Sequence, residues 1–224
     1  MPLLALLTSF LQWAIDLDTQ LTLAINDMHT DCLNTFMYWF SDKCVWLPVY
    51  ASLVALVFLN FSWRTALVIF AGIAVVILIT DQVSANVLRH TIERMRPSNL
   101  DNPISHTVKI VNDYRGGRFG FPSAHAANTL ALTVFLHRLL RNAWLTVAMT
   151  CWAVLTAYSR VYLGVHYLGD VTAGMLLGAL VALAVYALLV RFAKLHRPQQ
   201  VRYALLPVAV LDVTMLGLFA VALI

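Results

Sequence analysis

Residues 65–80 read TALVIFAGIAVVILIT, an unbroken apolar run closed by Asp81. A helix needs about 20 such residues to cross about 30 Å of hydrocarbon. The run continues through Gln82 and VSANVL, which predicts one spanning helix from Thr65 past Asp81 to Arg89. Outward from it, comparable runs stand at about 45–62, 123–138, 143–159, 170–190 and 204–224, the last interrupted only by Asp212. Polar joints at 60–64, 138–142 and 191–202 separate them. Trp46 and Trp63 bracket the 45–62 run and are expected at the lipid–water boundary, where an indole has one wet and one apolar side. The fold class that follows is all-α, a polytopic transmembrane helix bundle of about six spanning helices.

Composition points the same way. Of 224 residues, 61% are hydrophobic and 12% charged, whereas a soluble domain carries about 25% charged residues. That is too little charge to coat a soluble fold, which excludes a soluble enzyme, a nucleic-acid binder and a disordered chain. The formal charge of +4 is no sign of nucleic acid, because membrane proteins collect Lys and Arg on their cytoplasmic loops. Cys32, Cys44 and Cys151 are odd in number and lack CxxC spacing, so neither a disulfide framework nor a zinc site is indicated. Residues 1–42 hold no Lys or Arg, yet carry Asp16, Asp18, Asp27, Asp31 and Asp42. A spanning helix there would sink Asp16 and Asp18 into lipid, which is expensive. These residues are expected instead to form amphipathic helices on the outer surface, within a chain that reads as a single domain over 1–224.

Orientation follows from the basic residues. Arg64, Arg138, Arg141, Arg191, Lys194, Arg197 and Arg202 share one side with no acid among them. The other side holds eight basic residues, of which Arg89, Arg96 and Arg160 belong to a candidate binding site. Setting those aside makes the first side cytoplasmic and turns the 97–121 loop outward. Connections of that length are usually lids, binding loops or disordered.

Three motifs gather on this outer side. Arg89 and Arg96 lie two helical turns apart and are expected to point the same way, with Pro97 ending the helix. Guanidinium forks match phosphate geometry, and Glu93 between them is read as a partner that orients them. Alone, the pair is explained equally by arginines snorkelling to headgroups. Next comes Pro122-Ser123-Ala124-His125, where Ser123 is a natural N-cap and the following helix N-terminus is a ready anion site. His125 in that first turn can deliver a proton, although an interfacial histidine after a cap needs no further explanation. The third motif is Ser159-Arg160, five residues, His166, three residues, Asp170. The step from His166 to Asp170 is one helical turn, and a carboxylate holding one imidazole nitrogen makes the other a better nucleophile. A polar interhelical loop is the plainer account of any one of these residues. The four fixed positions arise by chance in roughly one sequence per thousand of this length, and the three motifs in order are rarer still.

Taken together, Arg89-x6-Arg96-Pro97, Pro122-Ser123-x-His125 and Ser159-Arg160-x5-His166-x3-Asp170 resemble the three-part signature of the type 2 phosphatidic acid phosphatases. These are integral membrane lipid phosphate phosphatases whose active site is related to that of vanadium haloperoxidases. The match spans 89–170, with Arg89 where lysine is more usual and Ala124 where glycine is. The resemblance implies that His166 is the nucleophile, forming a phosphohistidine, with Asp170 orienting it. It implies further that His125 protonates the leaving oxygen and then activates water, while Arg89, Arg96, Arg160 and Ser123 hold the phosphate. Three arginines supply the charge that a metal supplies elsewhere, so no metal or other cofactor is expected. The implied partner is a lipid phosphate presented from the bilayer, with undecaprenyl diphosphate and lipid A phosphate ranked first, and phosphatidylglycerol phosphate and phosphatidic acid behind. The expected location is a bacterial inner membrane with the site facing outward. A phosphotransferase using a hydroxyl acceptor needs the same residues and stays open. A non-catalytic lipid-phosphate binder or transporter needs the arginines but not a positioned nucleophile. Asp81 is read as supporting Arg89 or marking a wet helix end, Asp212 as a structural hydrogen bond. His106, Lys109, Asp113, Tyr114, Arg115 and Arg118 of the long loop are candidates for headgroup contact.

Overall fold

The computed structural model describes residues 2–224. Its helices are α1 (Pro2–Asn26), α2 (Asp31–Phe40), α3 (Leu47–Asn60), α4 (Trp63–Gln82), α5 (Arg89–Ile92), α6 (Ala124–Leu140), α7 (Ala143–Tyr162), α8 (Leu168–Phe192) and α9 (Leu205–Ala222). No strand occurs among the described residues; a single antiparallel bridge joins Met95 to Phe119. Runs long and apolar enough to cross a membrane are Lys43–Asn60, Trp63–Ile92, Leu168–Phe192 and Leu205–Ala222. α6 and α7 fall where the sequence places two further spans. Both are more polar because they line the interior: α6 buries Thr129 and Thr133 alongside Phe135 and Leu139, and α7 buries Thr156, Ser159 and Arg160.

The centre of the bundle is the α6–α8 seam. Gly174 and Gly178 of α8 lie directly on the α6 backbone, where a Cβ would strike the carbonyls of Ser123 and Ala127 respectively. Small residues one turn apart let two helices approach to backbone contact, and dispersion then replaces the hydrophobic drive that lipid removes. The seam also joins the two helix starts, since the Ser123 N–H donates to the Asp170 carbonyl at 2.9 Å. In contrast, α3 and α4 barely touch beyond their joint. Between them and α6 runs an apolar trough of about 590 Å3, lined among others by Tyr50, Leu53, Phe70, Ile73 and Leu132, whose upper end reaches His125.

The polar joints meet at the opposite end. Asn60 Nδ2 donates to the Arg202 carbonyl at 2.9 Å, and Arg197 Nε to the Arg138 carbonyl at 2.8 Å. Trp63 is exposed there, as a boundary indole should be, but Trp46 is not. It is 2% exposed, donates its indole N–H to the Phe40 carbonyl at 2.8 Å, and stacks edge-on against Phe40 and Trp152. A buried carbonyl acceptor at the end of α2 serves the indole better than the lipid boundary does.

At the N-terminus, α1 is polar toward the protein and apolar away from it. Asp18, Thr22 and Asn26, spaced one turn apart, face the bundle, whereas Leu3, Leu7, Phe10, Leu11 and Ile15 are exposed.

Candidate active site

The long helix that carries the first motif does not stay regular. After Gln82 it widens into a π-helical turn over Val83–Leu88, closes with α5, and stops at Glu93 in the left-handed region (φ 49). Arg96 is therefore off the helix, on an extended segment that pairs with the 118–120 strand-like stretch through Arg96 N–H to Arg118 O (3.0 Å) and Gly120 N–H to Arg94 O (2.9 Å). The expected two-turn alignment of Arg89 and Arg96 is corrected in this respect: pairing with residues 118–120, not helix periodicity, brings Arg96 to the site. The helix ends before Pro97, and Glu93 is exposed with no ion pair among the described residues.

From that segment Arg96 reaches the turn between α7 and α8. Its Nη1 donates to the Val165 carbonyl at 2.7 Å and stands 2.9 Å from His166 Nε2. A guanidinium cannot accept, so Nε2 is the acceptor and the ring proton sits on Nδ1. Burial first, then Arg96 and Arg160 beside it, pushes His166 well below the usual histidine range. The imidazole is neutral at neutral pH with its lone pair on Nε2. Arg96 pays for this crowding: burial, Arg160 and Arg89 lower its pKa to about 10, which still leaves it a cation.

Asp170 opens α8 one turn beyond His166 and is fully buried. Its Oδ2 accepts the Tyr167 N–H at 3.0 Å and lies 3.5 Å from His166 Nδ1, longer than an ordinary hydrogen bond. Gly120 passes close over the pair, where a Cβ would stand 3.1 Å from Asp170 Oδ2 and 3.4 Å from His166 Nδ1. Arg160, at the end of α7, is held by the Ser41 hydroxyl and by the Tyr114 hydroxyl at 3.0 Å. His125, in the first turn of α6, separates the apolar trough from a polar pocket of about 320 Å3 lined by Tyr38, Ser41, Lys43, Tyr114 and Arg160.

Ser123 precedes α6 as expected, but its hydroxyl does not cap the helix. It is buried and has no partner. The same is true of Arg89 Nε, Arg96 Nε, Arg160 Nε and His166 Nδ1, which with Ser123 Oγ make five of the eight such atoms among the described residues. Orphaned buried donors are costly and rare, and here they come from all three motifs. His166 Nδ1 faces Asp170, whereas Arg89, Arg96 and Arg160 are close enough for their charges to act on one another and on His166, so donors and positive charge are gathered in one place.

Several functional positions were beyond the sequence reading. Ser41 and Lys43 follow α2 and meet the site across more than 100 residues of chain, with no local pattern to announce them. Arg94, which belongs to none of the three motifs, bonds Asp170 at 2.9 Å. Asp81 accepts from Asn128 of α6 at 2.9 Å, while Thr80 donates to the same amide, and the Asp81 charge also acts on Arg89 as expected. Asp212 is exposed on α9 and makes no hydrogen bond or ion pair among the described residues, which corrects the expectation of a structural one.

Residues 66–194 match the PAP2 superfamily. The chain is 44% identical over 168 residues to the lipid A 4'-phosphatase of Bacteroides thetaiotaomicron, covering 75% of each. It is 33% identical over 178 residues to the lipid A 4'-phosphatase of Porphyromonas gingivalis, covering 79% of this chain and 74% of that one. Its fold is similar to the crystal structure of a transmembrane PAP2-type phosphatidylglycerolphosphate phosphatase from Bacillus subtilis, with a TM-score of 0.58, 23% identity, and coverage of 82% and 89%.

Proposed function

The chain belongs to the PAP2 superfamily and is an integral membrane lipid phosphatase; we propose that it works through a phosphohistidine on His166 at the outer face of a bacterial inner membrane. Lipid A 4'-phosphate is the substrate we rank first, ahead of undecaprenyl diphosphate. The observation that carries the mechanism is the convergence of unpartnered donors from Arg89, Arg96, Arg160 and Ser123 beside the neutral His166. Positioning and charge stabilisation are most of what phosphoryl transfer requires, and these residues supply both without a metal.

In the resting site Arg96 Nη1 covers the Nε2 lone pair. A phosphate oxygen takes over that donor as it enters, and phosphorus then faces Nε2. Attack forms the N–P bond as the P–O bond to the lipid breaks, and His125 gives its proton to the leaving oxygen. Water, deprotonated by His125, then cleaves the N–P bond and releases phosphate. The lipid's chains lie in the trough below His125, and the identity of the two lipid A 4'-phosphatases supports the ranking of substrates.

The test is release of phosphate from purified protein given each of four lipids: lipid A 4'-phosphate, undecaprenyl diphosphate, phosphatidylglycerol phosphate and phosphatidic acid. With the preferred lipid, His166→Ala and His125→Ala each lower release by about a thousandfold or more. Activity persists in excess EDTA. Near wild-type activity in either variant, or loss on chelation restored by magnesium, overturns the mechanism. An impermeant maleimide labels a cysteine placed in the 97–121 loop of intact cells; labelling beside Arg138 instead reverses the orientation.

A further inference from the structure

The contact between α1 and the catalytic turn has no counterpart in the matched segment, because α1 ends forty residues before that segment begins. Asp18 stands at its centre. Its Oδ2 lies 2.6 Å from Arg94 Nη2, and its Oδ1 accepts the Gly169 N–H at 2.7 Å. Arg94 turns its other nitrogen to Asp170 Oδ1 at 2.9 Å, with its guanidinium flat over the Tyr167 ring at 3.8 Å. Asp170 Oδ2 faces His166 Nδ1. The line of contacts is therefore Asp18, Arg94, Asp170, His166, and it runs from the N-terminal helix to the nucleophile.

Charge arithmetic gives this line a meaning. Arg94 alone would neutralise Asp170, and a neutral pair does little for positive charge growing on an imidazole. With Asp18 included, two carboxylates share one guanidinium and the trio keeps a net negative charge beside His166. All three side chains are held: Asp170 is fully buried, Asp18 and Arg94 are 16% and 24% exposed, so the interactions are only weakly screened. Local geometry is shaped to permit the approach. A Cβ at position 169 would stand 2.8 Å from Asp18 Oδ2, so any larger residue there would displace the Asp18 carboxylate. The same side of α1 also serves the helix start, with the Thr22 hydroxyl accepting the Leu168 N–H at 3.0 Å.

We propose that Asp18 and Arg94 are positioning residues for the phosphatase reaction: together they fix Asp170 and keep the charge that steadies His166 while Nε2 attacks phosphorus. The proposal rests on the reading of His166 as nucleophile. Asp18→Asn is the direct test, because asparagine keeps an acceptor for Gly169 N–H while removing the charge and the acceptor that faces Arg94. The expected result is a fall in kcat of about tenfold with KM changed less than about twofold, and Asp18→Glu restores most of it. A clamp acting through Gly169 N–H alone moves neither quantity in Asp18→Asn. His166→Ala is measured alongside. If His166→Ala is inactive and Asp18→Asn turns over like wild type, this inference is overturned and the nucleophile stands. If His166→Ala is active, the nucleophile itself is wrong. Equal loss in Asp18→Asn and Asp18→Glu shows that shape, not charge, is at stake and also overturns the inference. Should Asp18→Asn not purify as a monodisperse protein, Arg94→Lys replaces it: one ammonium cannot fork to both carboxylates, and an unchanged kcat there is equally decisive against the proposal.

Discussion

The two ends of the bundle use arginine in opposite ways. At the site end, Arg96 and Arg160 are almost completely buried, Arg89 partly so, and each keeps a buried Nε with no partner. At the other end, Arg64, Arg191 and Arg197 are exposed and rest on aromatic rings, with Arg197 also bonded to the Arg138 carbonyl and to the Tyr186 hydroxyl at 3.1 Å. Arg138 has an unpartnered Nε as well, but its guanidinium lies over Tyr186. Exposed arginines on rings have water and an aromatic face as partners and carry little desolvation cost. Buried arginines facing one another repel, and such repulsion persists only where an anion is due to arrive. Basic residues alone thus do not separate the two ends; the near-complete burial of Arg96 and Arg160 does.

The largest effect that separates the two ends is expected from Arg96. Arg96→Ala removes a phosphate donor and also a cation that holds His166 neutral. Turnover should fall by about a hundredfold to a thousandfold. With that cation gone the imidazole pKa rises, so the acid limb of kcat/KM moves to higher pH. A pH–rate profile that does not shift would detach Arg96 from His166. A smaller effect is expected at Arg89, which stands where lysine is more usual in the family. Arg89→Lys keeps the charge and should lose less than about tenfold, equivalent to about 1.4 kcal/mol, whereas Arg89→Ala is severe. Unchanged kcat/KM in Arg89→Ala would make it a mere anchor, like the arginines of the far end. The smallest effect belongs to that far end. Arg197→Ala should leave kcat/KM at the wild-type value and lower stability in detergent by about 1 kcal/mol or less, read from the melting temperature. A loss of turnover there would erase the distinction between the ends.

Much of this was legible in the chain. Apolar length placed six helices, and the spacing of Arg160, His166 and Asp170 survives in the structure because the end of α7, one turn and the start of α8 carry them in succession. Other readings gave way where regular period was assumed across an irregular backbone. Counting helical turns aligns Arg89 with Arg96, but the helix ends at the left-handed Glu93 between them, and Arg96 is aimed by its pairing with Arg118. Ser123 has the composition of a cap, yet the Ser123 N–H is engaged by Asp170 and the hydroxyl stays free. Trp46 has the composition of a boundary residue but found an acceptor in Phe40. The contacts of Ser41 and Asp18 join positions more than 100 and more than 70 residues apart, and no periodicity within one segment encodes such a meeting.

The backbone contact at Gly174 and Gly178 has a mechanical consequence. It makes α6 and α8 one stiff spine that carries His125, Ser123 and Asp170 together, with α4 packed against both, while α3 touches α4 little and forms the far wall of the trough. A bilayer that thins or thickens acts first on the elements free to tilt. Membrane thickness should therefore select which acyl lengths the wall admits, and leave untouched the speed at which a lodged lipid is dephosphorylated.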